Sequence, residues 1–506
     1  MMRIALPRGR LGAWLDRPAG RLVAAALALA VLAAPIGLVG DSLANLALIG
    51  DDFFYAAEAR DWPTLCVYLL VPHNTHVVPL FRLWTYLLVQ LAGRLANLQS
   101  TLATGSYVGL VVAMLAVGHF VARETGRTVL GLAAMAGLGI TSVIEPAVVW
   151  YSAGQALWAG TAILGALLAA QAWRARGHWW WLALLVLGGV AAPAFWSGGL
   201  AAGPAVAAYL WADGRPRCRR VALALLVVGA AAMLLVVALS RRQINETGLI
   251  WERHPELPPR PIQAVLLTAQ AIPEALILGN LGIDAALTAS QGVVFTLALA
   301  AAWYGTRRGR GWPTPLEAAG AAVVLASFLL TYYFRGNFSF DSLRTLGWYY
   351  TIPQVGAMVF AAAWWAGLDS TATAAKPAPP HPLTRREALA VLTLAAALLV
   401  VHQPRLQRRA IAAAPPLTPW EREEFPIPEL QYLRARYFAS EHAARQHRFL
   451  IRLDRARQVA LRRGIGRQEI GRVFGRVEAP GMPMQDEHYD ALTLLSLPEH
   501  GTETNP

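Results

Sequence analysis

Charge is scarce in this chain. Aspartate, glutamate, lysine and arginine together make up 15% of its 506 residues, against about 25% in a typical soluble domain. The scarcity is uneven, since long uncharged runs alternate with short arginine-rich islands. That pattern excludes one large water-soluble core and implies repeated membrane crossings. Acids are scarcer than bases, giving a net charge of +13. A basic balance in a soluble protein points to nucleic acid. Here the arginines sit at the ends of apolar runs and no basic-plus-aromatic soluble module appears, so no nucleic-acid partner is expected. Only two cysteines occur, Cys66 and Cys218. They fall on opposite faces of the topology below and are not expected to pair, and no zinc-type cluster exists.

What the chain has in abundance is apolar surface, 56% of residues. A spanning helix needs about 20 mostly apolar residues. The runs that qualify are 22–40, 104–122, 128–144, 153–172, 179–194, 196–212, 221–240, 285–305, 318–334, 346–367 and 387–402. Leu22 to Gly40 is 19 uncharged residues, longer than a signal-peptide core, so it reads as an uncleaved first helix. The uncharged stretch 179–212 is divided at Ala192-Pro193 and Ser197-Gly198-Gly199. The expectation is an all-α polytopic membrane protein of about eleven, and at most thirteen, transmembrane helices.

Direction follows from the arginine islands. Arg123/Arg127, Arg174/Arg176, Arg215/Arg217/Arg219/Arg220, Arg307/Arg308/Arg310 and Lys376/Arg385/Arg386 all land on the side of the N-terminus. This places residues 1–21 in the cytoplasm, 22–402 in a multi-span membrane domain with a large outer loop at 41–103, and 403–506 in a small, mainly helical hydrophilic region on the periplasmic side. The scheme requires 79–97 to lie along the outer surface, since Arg82 and Arg94 leave eleven uncharged residues between them. It also leaves 241–284 outside. If 79–97 crosses, 262–283 crosses too. Arg405, Arg408 and Arg409 directly after the last span oppose an outer C-terminus, although long hydrophilic tails translocate largely regardless of charge. Residues 429–463 read as a helix. The Ala, Arg and Gly richness looks like a GC-rich bacterial genome, and the expected location is a bacterial inner (plasma) membrane.

The first outer loop concentrates chemistry. Asp51 and Asp52 are adjacent, Tyr55, Glu58 and Asp61 follow, and His73, His76 and Arg82 lead into an amphipathic helix. A carboxylate can take the proton from an acceptor hydroxyl or amine attacking an activated sugar. An arginine or a divalent cation can neutralise a phosphate leaving group. The plainer alternative is that Asp51 and Asp52 cap a helix N-terminus, where acids suit the dipole. His73 and His76 lack a clear third metal ligand, so no cofactor is assigned and a divalent cation stays open. Glu58 and Asp61 read as solvated.

These residues resemble the GT-C superfamily of membrane glycosyltransferases, in particular protein O-mannosyltransferases and lipid A aminoarabinose transferases. The acidic motif of that superfamily's first outer loop is matched by Asp51-Asp52, with Tyr55 after it. Its later His-Pro-Pro-Leu element is matched loosely by His76-Val77-Val78-Pro79-Leu80, followed by Arg82. The resemblance implies catalytic Asp51 or Asp52. It also implies a substrate pocket drawn from Tyr55, His73, His76 and Arg82, with Glu145 (beside Trp150 and Tyr151), Arg344 and Tyr349 (beside Arg335 and Tyr350) from later outer loops. The implied reaction moves a sugar from a polyprenyl-phosphate-linked donor to an acceptor that the motif does not name. The implied partners are the lipid-linked donor and membrane lipids. Two other classes compete. A transporter or flippase of lipid-linked sugars needs polar residues midway along spans, where His119, Gln155 and Gln171 offer little. A non-catalytic scaffold would present the C-terminal region to a partner.

Overall fold

The computed structural model describes residues 18–44, 46, 51–59, 61–73, 76–92, 98–247, 260–307, 313–335, 347–369 and 383–413. Arg344 and the expected helix 429–463 lie outside them. Every regular element described is helical, and the single β-type contact is an isolated antiparallel pairing of His73 with His76. Six stretches are long and apolar enough to cross a bilayer: Ser100–Thr125, Tyr151–Arg176, Arg260–Leu281, Pro315–Phe334, Gly347–Leu368 and Arg386–Arg409. A seventh follows if Leu22–Ala33 and Ile36–Ala44 count as one span bent by 45°. The protein is thus an α-helical membrane protein.

The helices are numbered in chain order. They are α1 (Pro18–Ala33), α2 (Ile36–Ala44), α3 (Asp51–Glu58), α4 (Trp62–Tyr68), α5 (Pro79–Leu91), α6 (Leu98–Thr125), α7 (Thr128–Gly139), α8 (Glu145–Val149), α9 (Gln155–Arg176) and α10 (Trp179–Phe195). Then come α11 (Ala202–Ala212), α12 (Pro216–Thr247), α13 (Arg260–Ala271), α14 (Ala289–Thr306), α15 (Pro315–Phe334), α16 (Thr351–Asp369) and α17 (Arg385–Ala413). A helix occupies each apolar run, and among the described residues six, or seven with the bent pair, are long and apolar enough to cross, against the eleven expected. The run 128–144 yields only the 12 residues of α7, about 18 Å of helix against a core of about 30 Å. The run 22–40 breaks before Ile36, and Pro35 at the bend accounts for the break, because it lacks an N–H and its ring clashes with the preceding turn.

Two further expectations change. The stretch 262–283, placed outside in the eleven-span scheme, forms one continuous 22-residue helical run, Arg260–Leu281, apolar enough to cross. Its one acid, Glu274, accepts a hydrogen bond from the Leu287 backbone at 3.1 Å. The run opens into a wider turn over Ile272–Leu278 where Pro273 cannot donate. The boundary expected at 402 is not a break either, because α17 continues to Ala413. The stretch 79–97 does form a short helix, α5, whose 13 residues reach only about 20 Å.

Sequence-local signals set several helix starts. Thr314 caps α15 and Thr288 caps α14, each with a reciprocal capping box to Glu317 or Gln291. The main packing pairs are α9 with α10, α15 with α16, and α6 with α7. Where α15 crosses α16 the backbones nearly touch. A methyl group at Gly320 would meet Gly356 O at 2.8 Å and Phe360 N at 2.6 Å, the small-residue crossing typical of membrane helices.

Two helices define the molecule's polar ends. The run through α9 carries Ser152 near its start and Arg174 near its end, about 33 Å apart along the axis. Helix α15 has Glu317 in its first turn and Arg335 just past its last. Arg174 pairs with Glu124 at 2.5 Å, Arg215 and Arg217 donate to the Arg174 carbonyl, and Arg307 pairs with Glu317. Arginines of two islands therefore meet at one end, with the Arg307–Glu317 pair at the same end of α15. Ser152 and Arg335 face the other end, where the first loop packs.

Candidate functional site

The first loop folds back on itself around α3. Asp51 and Asp52 occupy the first turn of that helix, so they do serve the helix dipole. Successive residues on a helix diverge by about 100°, and the two carboxylates separate accordingly. Asp52 is fully buried. Its Oδ1 accepts a hydrogen bond from the Ser152 backbone N–H at 2.7 Å and another from the Ser152 hydroxyl. Asp51 keeps 25% of its side chain exposed, and its Oδ1 lies 3.2 Å from His73 Nε2.

His73 and His76 pair through two backbone hydrogen bonds of 2.8 Å. Their side chains go to different partners. His73 goes to Asp51. His76 Nε2 accepts from Arg335 Nη2 at 2.8 Å, and its Nδ1 lies 2.6 Å from Ser197 Oγ. Arginine can only donate, so Nε2 must be the acceptor and the proton sits on Nδ1, which donates to Ser197. A neutral imidazole is therefore built in. Burial, the Arg335 charge and His73 push its pKa well below the usual histidine value. With both ring nitrogens committed, His76 offers no lone pair to a metal. Among the described residues no group of three or more His, Cys, Asp or Glu is placed to hold one.

Arg335 lies over the Tyr349 ring at 6.0 Å, Tyr349 stacks on Trp196 at 5.6 Å, and Trp196 meets the His76 ring at 6.1 Å. Four side chains from four segments thus close a ring that fixes one guanidinium. Ser197 and Trp196 come from the Pro/Gly break between α10 and α11. The sequence marks the break, but nothing in it marks their part in the site.

Other expected residues take different places. Tyr55 is buried between His73 and Phe81, with ring centroids 5.0 and 5.2 Å away. Burial is the main cause that raises its phenol pKa well above the usual value. Glu58, expected to be solvated, is not, and Asp61 is half-buried. Glu58 is buried and pairs with Arg82 Nε at 2.8 Å, while Asp61 caps α4 by accepting from Thr64 N at 2.9 Å. Arg82 is 1% exposed, and besides Glu58 it donates to the Val71 carbonyl. Arg82, expected in the substrate pocket, is therefore clamping the loop. Tyr151, near Asp52's partner, hydrogen-bonds Thr85 at 2.7 Å and so ties α5 to the start of the α9 run.

Glu145 belongs to a neighbouring network. Burial raises its pKa, and Arg409 pulls it back down. Arg405 binds Asp284, Ser142 Oγ at 3.0 Å and the Gly279 carbonyl at 2.6 Å. The arginines that argued against this end for the C-terminal region are thus partly neutralised within it. Both cysteines are free thiols, Cys66 exposed and Cys218 buried.

Comparison with known protein families, with curated proteins and with solved structures finds no match.

Proposed function

We propose that this protein is a membrane glycosyltransferase of the GT-C type, transferring a sugar from a polyprenyl-phosphate donor to an acceptor at the non-cytoplasmic face. The observation that carries the reading is the backbone pairing of His73 with His76, two histidines that hold a partly exposed carboxylate, Asp51 on His73, and a fixed cation, Arg335 on His76. In this reaction the acceptor oxygen or nitrogen forms a bond to the sugar's anomeric carbon and gives its proton to Asp51. The bond from that carbon to the donor phosphate breaks, and its electron pair leaves on the phosphate, whose charge Arg335 offsets. His73 fixes the plane of the Asp51 carboxylate. Asp52, tied to Ser152, positions the start of α3 and does not itself take the proton.

Side assignment supports this. Arg174, Arg215, Arg217 and Arg307 lie at the opposite end, as the positive-inside rule requires if the first loop is outside. Reconstituted protein offered a panel of polyprenyl-phosphate sugars should consume at least one of them, and the Asp51→Asn/Asp52→Asn double variant should consume none. Equal consumption by both proteins would rule out the first-loop carboxylates.

A further inference from the structure

Arginine keys the outer end of α17 into the molecule. Arg405 is 6% exposed. Its Nε donates to Asp284 Oδ1 at 2.7 Å, and its Nη1 donates to the Gly279 carbonyl at 2.6 Å and to Ser142 Oγ at 3.0 Å. Because that oxygen accepts from arginine, the Ser142 hydroxyl donates to His402 Nδ1, 3.1 Å away. One turn further along α17, Arg409 donates to the Ser142 carbonyl at 3.2 Å. Residues 402, 405 and 409 share one helix face, and that face grips Ser142 by side chain and backbone. The helix is seated closely here: Gly282 has a φ of +72°, and a methyl group on it would meet Val401 Cγ1 at 2.5 Å.

Ser142 begins a series of short turns that ends in the candidate site. The Ala147 N–H donates to the Ile144 carbonyl at 3.0 Å, Trp150 to Pro146 at 3.2 Å, and Ala153 to Trp150 at 3.0 Å. Ser152, at the end of the series, donates to Asp52 by backbone and hydroxyl. Trp150 meets Trp348 at 4.5 Å, next to the Tyr349 ring that lies under Arg335. A methyl group on Gly347 would meet Pro146 Cγ at 2.8 Å. The segment 142–152 therefore touches the carboxylate side and the cation side of the site, while α17 holds its beginning.

We propose that Arg405 is a positioning residue for the candidate site. By holding Ser142 it sets the segment 142–152, and through Ser152 and Asp52 it sets the place of the neighbouring Asp51. A displacement of about 1 Å caused far from the chemistry can cost about 10²-fold in rate. The kinetic consequence rests on the glycosyltransferase reading, whereas the structural one does not.

The test compares two full-length variants. Arg405→Lys keeps a cation beside Asp284 but lacks the planar fork that serves Ser142 and Gly279 together with Asp284. Asp284→Asn removes the ion pair and leaves the Ser142 and Gly279 bonds in place. Arg405→Lys should keep an unfolding temperature near that of wild type. Its kcat for a consumed polyprenyl-phosphate sugar should fall about tenfold at unchanged KM, and amide deuterium uptake over 147–153 should rise. Asp284→Asn should lower the unfolding temperature while kcat and that uptake stay at the wild-type level. A wild-type kcat or a wild-type uptake in Arg405→Lys overturns the proposal. So does a kcat in Asp284→Asn as low as that of Arg405→Lys, which would make the rate follow stability. A wild-type protein that consumes no donor removes the glycosyltransferase reading by itself, and the uptake over 147–153 in the two variants then decides the positioning role.

Discussion

Asp52 has no exposed surface and its carboxylate accepts from the Ser152 backbone and hydroxyl, whereas Asp51 is partly open and lies against His73. Substituting them should separate their roles. Asp51→Asn should cost about 10²–10⁴-fold in transfer rate, the range of a general base, with little change in thermal stability. Ser152→Ala withdraws a hydroxyl from a buried carboxylate and should cost about 1.5–3 kcal/mol of stability, seen as a lower unfolding temperature in detergent. His76 supplies a pH signature. Its folded pKa is depressed by burial, Arg335 and His73, so the unfolded chain takes up a proton that the folded one refuses. The contribution of His76 to stability is complete above about pH 6.5 and is lost as pH falls toward the folded value. The unfolding temperature of wild type should therefore drop between pH 7 and 5, and His76→Gln should flatten that drop. Adjacency of two acids after an apolar stretch was enough to mark this place in the sequence. Which acid faces water depends on Ser152, one hundred positions away, and no local pattern encodes that.

At the scale of elements, the first loop is pinned by the buried Glu58–Arg82 pair and by the Arg82 bond to the Val71 carbonyl. Removing one partner of a buried pair leaves the other charge uncompensated, at about 3–5 kcal/mol, while replacing both with apolar side chains is often near neutral. Glu58→Gln should thus lower the unfolding temperature strongly, and Glu58→Leu/Arg82→Met should recover much of the loss. Failure of the double variant to recover would show that Arg82 has a role beyond the clamp. The crossing of α15 on α16 makes a second demand. Gly320→Leu has no room against the α16 backbone and should abolish folded protein in the membrane fraction. Helix positions were readable from apolar runs because length and hydropathy are local properties. Helix lengths were less so. Pro35 breaks the first run, α7 stops after 12 residues, and Arg260–Leu281 tolerates Glu274 because the Leu287 backbone hydrogen-bonds that acid.

Taken as a whole molecule, the chain separates two chemistries by the length of a helix: arginine islands clustered on Glu124 and Asp213 at one end, and Asp51, His73, His76 and Arg335 at the other. The arginine pattern in the sequence anticipated the first cluster. The second needed tertiary structure, because its members come from segments some 280 residues apart. Sidedness can be read at Cys66, an exposed thiol in the first loop. An impermeant maleimide should label it in intact cells without permeabilisation, and Cys66→Ser should abolish that labelling. Labelling of Cys66 only after permeabilisation would turn the first loop to the cytosol and remove the glycosyltransferase reading. The central claim is that Asp51 takes the acceptor proton, and it is tested most directly by single-turnover transfer from a consumed polyprenyl-phosphate sugar. With equal amounts of membrane-inserted protein, Asp51→Asn should be slowed at least about 10²-fold. An Asp51→Asn variant that transfers at the wild-type rate would contradict the account.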